Sequence, residues 1–261
     1  MIKSLLRPAK HALQRELCKR EWRRNPMSAP SIATFAMMKD SMKGQDAILL
    51  CNGPSLNKVP FEALKNGPFV IGMNKINLLF DRTTMRPDLI VAINRYVIEQ
   101  NADFYNETDI PTMLSRVGTD VVEQRSNVTF LNCAPTLKFS LDPGIAIYEG
   151  WTVTYAALQI AFHMGFDRVA IVGADHTFAQ AGKPNELQVS KGPDVNHFDP
   201  RYFGKGTPWQ LADLEGSERA YRLARRTYEA HGRKLYNCTE GGKLEIFERM
   251  PLPNFLNTRE G

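Results

Sequence analysis

AILLCNGPSL, residues 47–56, joins five apolar residues directly to a turn. A run of this length suits a short buried strand, because a central parallel strand is covered on both faces. Asn52-Gly53-Pro54-Ser55 cannot prolong it. Gly53 admits backbone angles closed to other residues, Pro54 fixes its own φ and has no N–H, and Ser55 can accept from the free N–H groups of a helical turn. A buried strand opening into a glycine turn is a common cradle for a phosphate or a ribose. The pattern is neither GxGxxG nor a Walker loop, so a plain tight turn after a core strand reads equally well from these residues alone.

Outward from this stretch, apolar runs alternate with helical patterns. FVIGM (69–73), DLIVAI (88–93) and RVAIV (168–172) repeat the buried-strand signature, and 112–115, 128–131, 145–148, 234–236 and 244–247 are shorter strand candidates. Short helices are expected at 60–66, with Pro60 in the first turn, and at 94–101. Trp151–Met164, stopped by Gly165, and Leu211–His231, stopped by Gly232, read as the long helices. This alternation implies an α/β fold, a Rossmann-like doubly wound and mostly parallel sheet, with ligands bound beyond the carboxyl ends of its strands. Residues 174–210 are polar and aperiodic, and a loop of that length in a compact domain is usually a lid or binding segment. The expected division is a basic amphipathic helix at 1–25, a linker with a short helix at 26–45, and a catalytic domain at 46–261.

The net charge of +5 is uneven. Residues 1–25 hold eight Lys or Arg and two Glu, so the remainder carries 25 basic and 26 acidic residues. A nearly neutral body argues against nucleic acid as a partner. Ile2, Leu5, Leu6, Leu13, Leu17 and Trp22 fall among the basic residues at helical spacing. Such a segment fits an anionic membrane surface, or a helix packed on the body. No run reaches the roughly 18–20 apolar residues of a membrane span, and no secretory signal is visible. Cys18, Cys51, Cys133 and Cys238 are widely separated, as expected of reduced cytosolic thiols rather than metal ligands.

Three apolar runs end in asparagine, at Asn52, Asn74 and Asn94, and a fourth ends at Asn132. Each amide would sit at the ligand edge of the sheet, where it can donate to and accept from a ribose, a base edge or a sugar; each could also be a simple cap. Thr152 and Thr154 open the long helix, where hydroxyls and free N–H groups can hold a phosphate. Asp175 and His176 follow the RVAIV strand, and His197 with Tyr202 lies in the lid-like segment. Either histidine could act as a base, or be an ordinary loop residue. No His, Cys, Asp or Glu cluster has zinc spacing, and no metal is expected.

CNGPSL, GMN, VAIN and the unit ALQIAFHMGFDRVAIVGADHTF, spanning roughly residues 46–248, resemble two related families. One is the bacterial CMP-sialic-acid-dependent lipooligosaccharide sialyltransferases; the other is named after archaeal 6-hydroxymethylpterin diphosphokinase. The first resemblance implies CMP binding by Asn52, Gly53, Ser55, Asn74 and Asn94, donor contact at Thr152–Thr154, a lid tyrosine (Tyr202) on the phosphate and a lid histidine (His197) as base. The family's base falls nearer Arg201, so the match is loose there. On this reading the chain is a CMP-sugar glycosyltransferase. It moves sialic acid or a Kdo-like sugar to a glycolipid or polysaccharide acceptor, with no cofactor. It is expected in the cytoplasm, peripheral to the inner face of the membrane, alone or as a homo-oligomer. The second resemblance implies an ATP-dependent pyrophosphokinase. A nucleotide-binding scaffold without turnover is the third expectation.

Overall fold

A computed structural model describes residues 16–65, 67–179 and 182–258. The apolar runs form strands, in chain order β1 Asp46–Leu50, β2 Phe69–Met73, β3 Leu89–Ala92, β4 Thr112–Ser115, β5 Val128–Leu131, β6 Cys133–Ala134, β7 Ile147–Tyr148, β8 Arg168–Val172, β9 Leu187–Val189, β10 Pro208–Gln210, β11 Lys234–Asn237 and β12 Glu248–Arg249. The α-helices are α1 Ser28–Met38, α2 Arg95–Gln100, α3 Ala102–Glu107, α4 Val153–Met164, α5 Leu214–Ala230 and α6 Leu252–Asn257, and residues 16–24 are also helical.

Eight strands make one sheet in the order β12-β11-β8-β1-β2-β3-β4-β5, with every neighbouring pair parallel. The chain runs outward from β1 through β2 to β5, then returns to β8 on the other side. The strand order therefore reverses beside β1, and a crevice opens there at the carboxyl ends. Ala47, Leu49, Ile71 and Met73 pack under α1, α4 and α5. Ile48, Leu50, Val70 and Ile90 face the opposite layer, with Leu56, Ile98, Tyr105 and Phe255. Both faces are thus apolar, as the unbroken hydrophobic runs require. Every residue of α4 from Thr154 to Met164 is buried. Within it, Gln159 accepts from the N–H groups of Ser140 and Tyr148 and donates to the carbonyls of Tyr148 and Tyr155, which satisfies the buried amide and ties β7 to the helix.

Several sequence expectations are corrected. The helix expected at 60–66 is a 3₁₀ turn, Phe61–Leu64, preceded by another at Pro54–Lys58; Asn66 lies outside the described residues. Leu244–Phe247 is not a strand: Leu244 and Phe247 are buried anchors, and pairing with β11 comes just beyond, at β12. Within 26–45, α1 packs on the body through Ser31 and Phe35, and His163 Nε2 lies 2.7 Å from the Phe35 carbonyl. The reading of 1–25 as a membrane helix falls partly on residues 1–15, outside the described set. Trp22, counted in its apolar face, is in the core and donates from Nε1 to the Gly144 carbonyl at 2.9 Å. Among the described residues no helix is long and apolar enough to cross a membrane.

The 174–210 segment contains the antiparallel β9–β10 pair and buries Phe198, Tyr202, Phe203 and Trp209. Hydrogen bonds along its length fasten it to the sheet edge. Phe198 N donates to the Asn52 carbonyl (2.9 Å) and Asn57 Nδ2 to the Phe198 carbonyl (2.9 Å). Lys75 Nζ donates to the Tyr202 carbonyl (2.6 Å) and Gln100 Nε2 to the Pro208 carbonyl (2.7 Å). Its polar composition conceals these anchors, because the aromatic residues among them follow no local period.

Candidate active site

A cleft of about 510 Å³ opens where the strand order reverses. Its volume suits a cofactor-sized ligand. The turn after β1 and the turn after β8 form its floor and are locked together. Gly53 N donates to the Gly173 carbonyl at 2.9 Å. Asp175 accepts from Ser55 Oγ at 2.7 Å and from Ser55 N at 3.2 Å. Gly53 is held so closely that a Cβ there would lie 2.0 Å from Asp175 Oδ2 and 2.6 Å from the Gly173 oxygen.

Asn52, Gly53, Asn74, Asn94, Thr152, Thr154, Asp175, His176, His197 and Tyr202 all line this cleft. Ser55 is the exception; it lies behind Asp175, on a second cavity of about 470 Å³. Asn52 Oδ1 and Asn74 Oδ1 are buried without a hydrogen-bond partner, so two acceptors at the ends of adjacent strands are left for a ligand's donors. Asn74 adopts φ 53°. Asn94 caps α2, accepting from Val97 N at 3.3 Å, and donates to Gln210 Oε1 at 3.2 Å. Asn132 is structural: its Nδ2 donates to the Ile145 carbonyl and it is buried away from the cleft. Thr152 caps α4 by accepting from Thr154 N at 3.3 Å. Thr154 Oγ1 lies 3.5 Å from Cys51 Sγ, and burial pushes that thiol up to about 12.

The two histidines have different surroundings. His176 stands at φ 56°, a left-handed conformation that a non-glycine residue seldom adopts. Its Nε2 is 3.3 Å from Glu218 Oε1 on α5, and Glu218 also accepts from Arg222. His197 stacks on Tyr202 with ring centroids 3.9 Å apart and planes 3° from parallel. Its Nδ1 is 2.7 Å from Asp194 Oδ2. Burial pushes the Asp194 carboxyl up, but the His197 hydrogen bond and charge, with the N–H groups of Asn196 and Phe203, outweigh it and hold the carboxyl below its usual range. An ionised Asp194 fixes the proton on Nδ1 and leaves Nε2 to receive another. Burial drives the Tyr202 hydroxyl strongly upward, with the Asn74 side chain opposing, so it is a neutral phenol.

Asp194 was not singled out in the sequence; its only local signal is the three-residue spacing to His197. Glu149 lines the cleft with its carboxyl raised by burial. Among the described residues, no group of three His, Cys, Asp or Glu side chains is placed to hold a metal ion. A Mg²⁺ carried in on substrate phosphates needs only one or two carboxylates, and Asp175 and Glu149 line the cleft.

A parallel α/β sheet with its cleft at the reversal of strand order defines a Rossmann-like protein. A family model described as MptE-like, 6-hydroxymethylpterin diphosphokinase MptE-like, matches residues 24–181. That is more than half of the chain, and the chain belongs to this kinase-like, transferase-related family. The match falls on the second of the two resemblances and lends no support to the sialyltransferase one. No curated protein matches the chain. The matched residues take in Asn52, Asn74, Asn94, Thr152, Asp175 and His176; Asp194, His197 and Tyr202 lie beyond them.

Proposed function

We propose that the cleft is the active site of a transferase that holds a nucleotide-activated donor and passes a group from it to an acceptor hydroxyl. The observation that carries this reading is His197 on the wall of a nucleotide-sized cleft, with Asp194 Oδ2 2.7 Å from its Nδ1. The α4 N-terminus and the unpartnered oxygens of Asn52 and Asn74 face the donor, and helix N-termini favour phosphate. His197 Nε2 takes the proton of the acceptor hydroxyl as its oxygen attacks, and Asp194 stabilises the resulting imidazolium. Such general-base help is typically worth about 10²–10⁴-fold.

Family membership favours diphosphoryl transfer. The acceptor oxygen attacks the β-phosphorus of ATP, the bond to the α-phosphate oxygen breaks, and AMP leaves with its electron pair. Mg²⁺ arrives as part of the ATP complex. One observation favours a second version, glycosyl transfer from a CMP-activated acidic sugar. The two cleft aspartates are already bonded, Asp175 to Ser55 and Asp213 to Gly216 N at 2.7 Å, and Asp194 is bonded to His197. A donor with a single phosphate could then be held by amides and the helix N-terminus alone. In that version the acceptor is a glycolipid or polysaccharide, and the basic charge of residues 1–25 favours an anionic surface nearby.

Calorimetric titration with ATP and with CMP, each with Mg²⁺ and with EDTA, tests the reading. ATP binding that needs Mg²⁺ supports the diphosphokinase version; CMP binding that survives EDTA supports the glycosyl version. If neither nucleotide binds, the transferase reading fails. If nucleotide binds, wild type turns nothing over and His197→Ala leaves binding unchanged, the cleft is a scaffold's nucleotide site.

A further inference from the structure

At the rim of the cleft, Gly150 and Trp151 both adopt left-handed backbone angles, φ 55° and φ 62°. For Gly150 this conformation is free of side-chain conflict, and it is needed: a Cβ there would meet the Tyr155 ring at 2.2 Å. Trp151 is bulky, and a bulky residue at positive φ is a true outlier. Strain of this kind persists where neighbouring structure imposes it, and it clusters at ligand clamps. Here the neighbours are Gln159, which grips β7 just upstream, and Thr152, which caps α4 just downstream. The ring rests on Gly216 of α5, where a Cβ would lie 2.7 Å from Trp151 Cδ2. The Arg219 guanidinium sits 5.3 Å from the ring centroid. The residue nevertheless stays 36 % exposed and lines the cleft. The other two tryptophans, Trp22 and Trp209, are buried.

A strained turn therefore holds an aromatic ring at the cleft, backed by Gly216 and Arg219 and still more than a third exposed. Resting on the reading of the cleft as a hydroxyl-acceptor transferase, we propose that Trp151 is the platform on which the acceptor's ring stacks. Tryptophan stacks on heteroaromatic rings and on the C–H face of a pyranose alike. The two sources share that chemistry, and the test separates them.

Protein saturated with Mg²⁺–ADP or with CMP would be titrated calorimetrically with 6-hydroxymethylpterin and, separately, with methyl β-galactoside. Wild type, Trp151→Ala and Trp151→Phe would be compared. The expected result is binding of one ring probe, weakened about 5- to 100-fold in Trp151→Ala and largely restored in Trp151→Phe. Nucleotide affinity should stay within about twofold throughout. Pterin binding assigns a heteroaromatic acceptor; galactoside binding assigns a sugar. Equal ring affinity in wild type and Trp151→Ala overturns the proposal, as does failure of both probes to bind nucleotide-loaded wild type. In either case retained nucleotide binding leaves the transferase reading standing. Failure of the nucleotides themselves to bind wild type removes that reading, and the platform with it.

Discussion

Gly53→Ala isolates the contact on which the cleft floor depends. The φ of −71° and ψ of 164° at Gly53 suit any residue, so backbone conformation does not demand glycine. Space does: an added Cβ would lie 2.0 Å from Asp175 Oδ2, 2.6 Å from the Gly173 oxygen and 2.8 Å from Asp175 Cγ. Asp175 can swing away only by breaking its bonds to Ser55 Oγ and Ser55 N. The Gly173 oxygen has no such freedom, because it is main chain and already accepts from Gly53 N. Losing hydrogen bonds to a carboxylate costs about 1.5–3 kcal/mol, and forcing an extra carbon into a packed site costs about 1–3 kcal/mol more. A domain of this size loses roughly 2–4 °C in Tm per kcal/mol, so the two effects together lower Tm by roughly 10 °C. Circular dichroism melting measures it directly. Gly192→Ala is the control, since a Cβ there meets nothing within 4 Å and an ordinary surface change stays within about 0.5 kcal/mol. If Gly53→Ala melts within about 2 °C of wild type, the two turns are not rigidly locked and the derivation of the cleft floor fails.

Three further outcomes follow from the geometry. His197→Ala should cut turnover by about 10²–10⁴ with nucleotide affinity unchanged, and Asp194→Asn should do so in part; full turnover in Asp194→Asn would remove the pair from the mechanism. Burial lowers the Lys75 ammonium to about 8, against the opposing charge of Asp194. Between about pH 8 and the ordinary value near 10.4 the unfolded chain holds a proton that the folded chain does not, so unfolding free energy rises with pH. Denaturant titrations of wild type should therefore gain on Lys75→Met across that window; a flat or falling difference contradicts the burial of a titrating Lys75. Trp22→Ala should destabilise by about 3–5 kcal/mol, read from the denaturation midpoint. A loss below about 1 kcal/mol would mean the 16–24 helix is not docked.

The strands were legible because burial on both faces leaves unbroken apolar runs, and RVAIV and AILLC stand out for that reason. Their adjacency as β8 and β1 is set by the tertiary fold and written in neither run, and it brings Asp175 to Ser55 across 120 residues of chain. The strand-end asparagines were readable at Asn52 and Asn74, but residue type could not separate them from Asn132, which spends its amide on the Ile145 carbonyl. Asp194 was hidden because a carboxylate in a polar loop looks solvated until its partner is placed. Trp22 misled in the opposite way: an apolar helical face fits a membrane and the protein's own core equally well, and only the Gly144 carbonyl decides between them. Trp151 stood in plain sight at the head of a helix. Its left-handed conformation has no sequence signature beyond the preceding glycine.

The fastening of residues 174–210 decides when the ordering of that segment costs free energy. Bonds at Asn52, Asn57, Lys75 and Gln100 hold the segment that bears His197, so on the proposed reading the base stands in place before the acceptor arrives. The entropy of ordering that segment is lost once, when the chain folds, and is not lost again with each substrate.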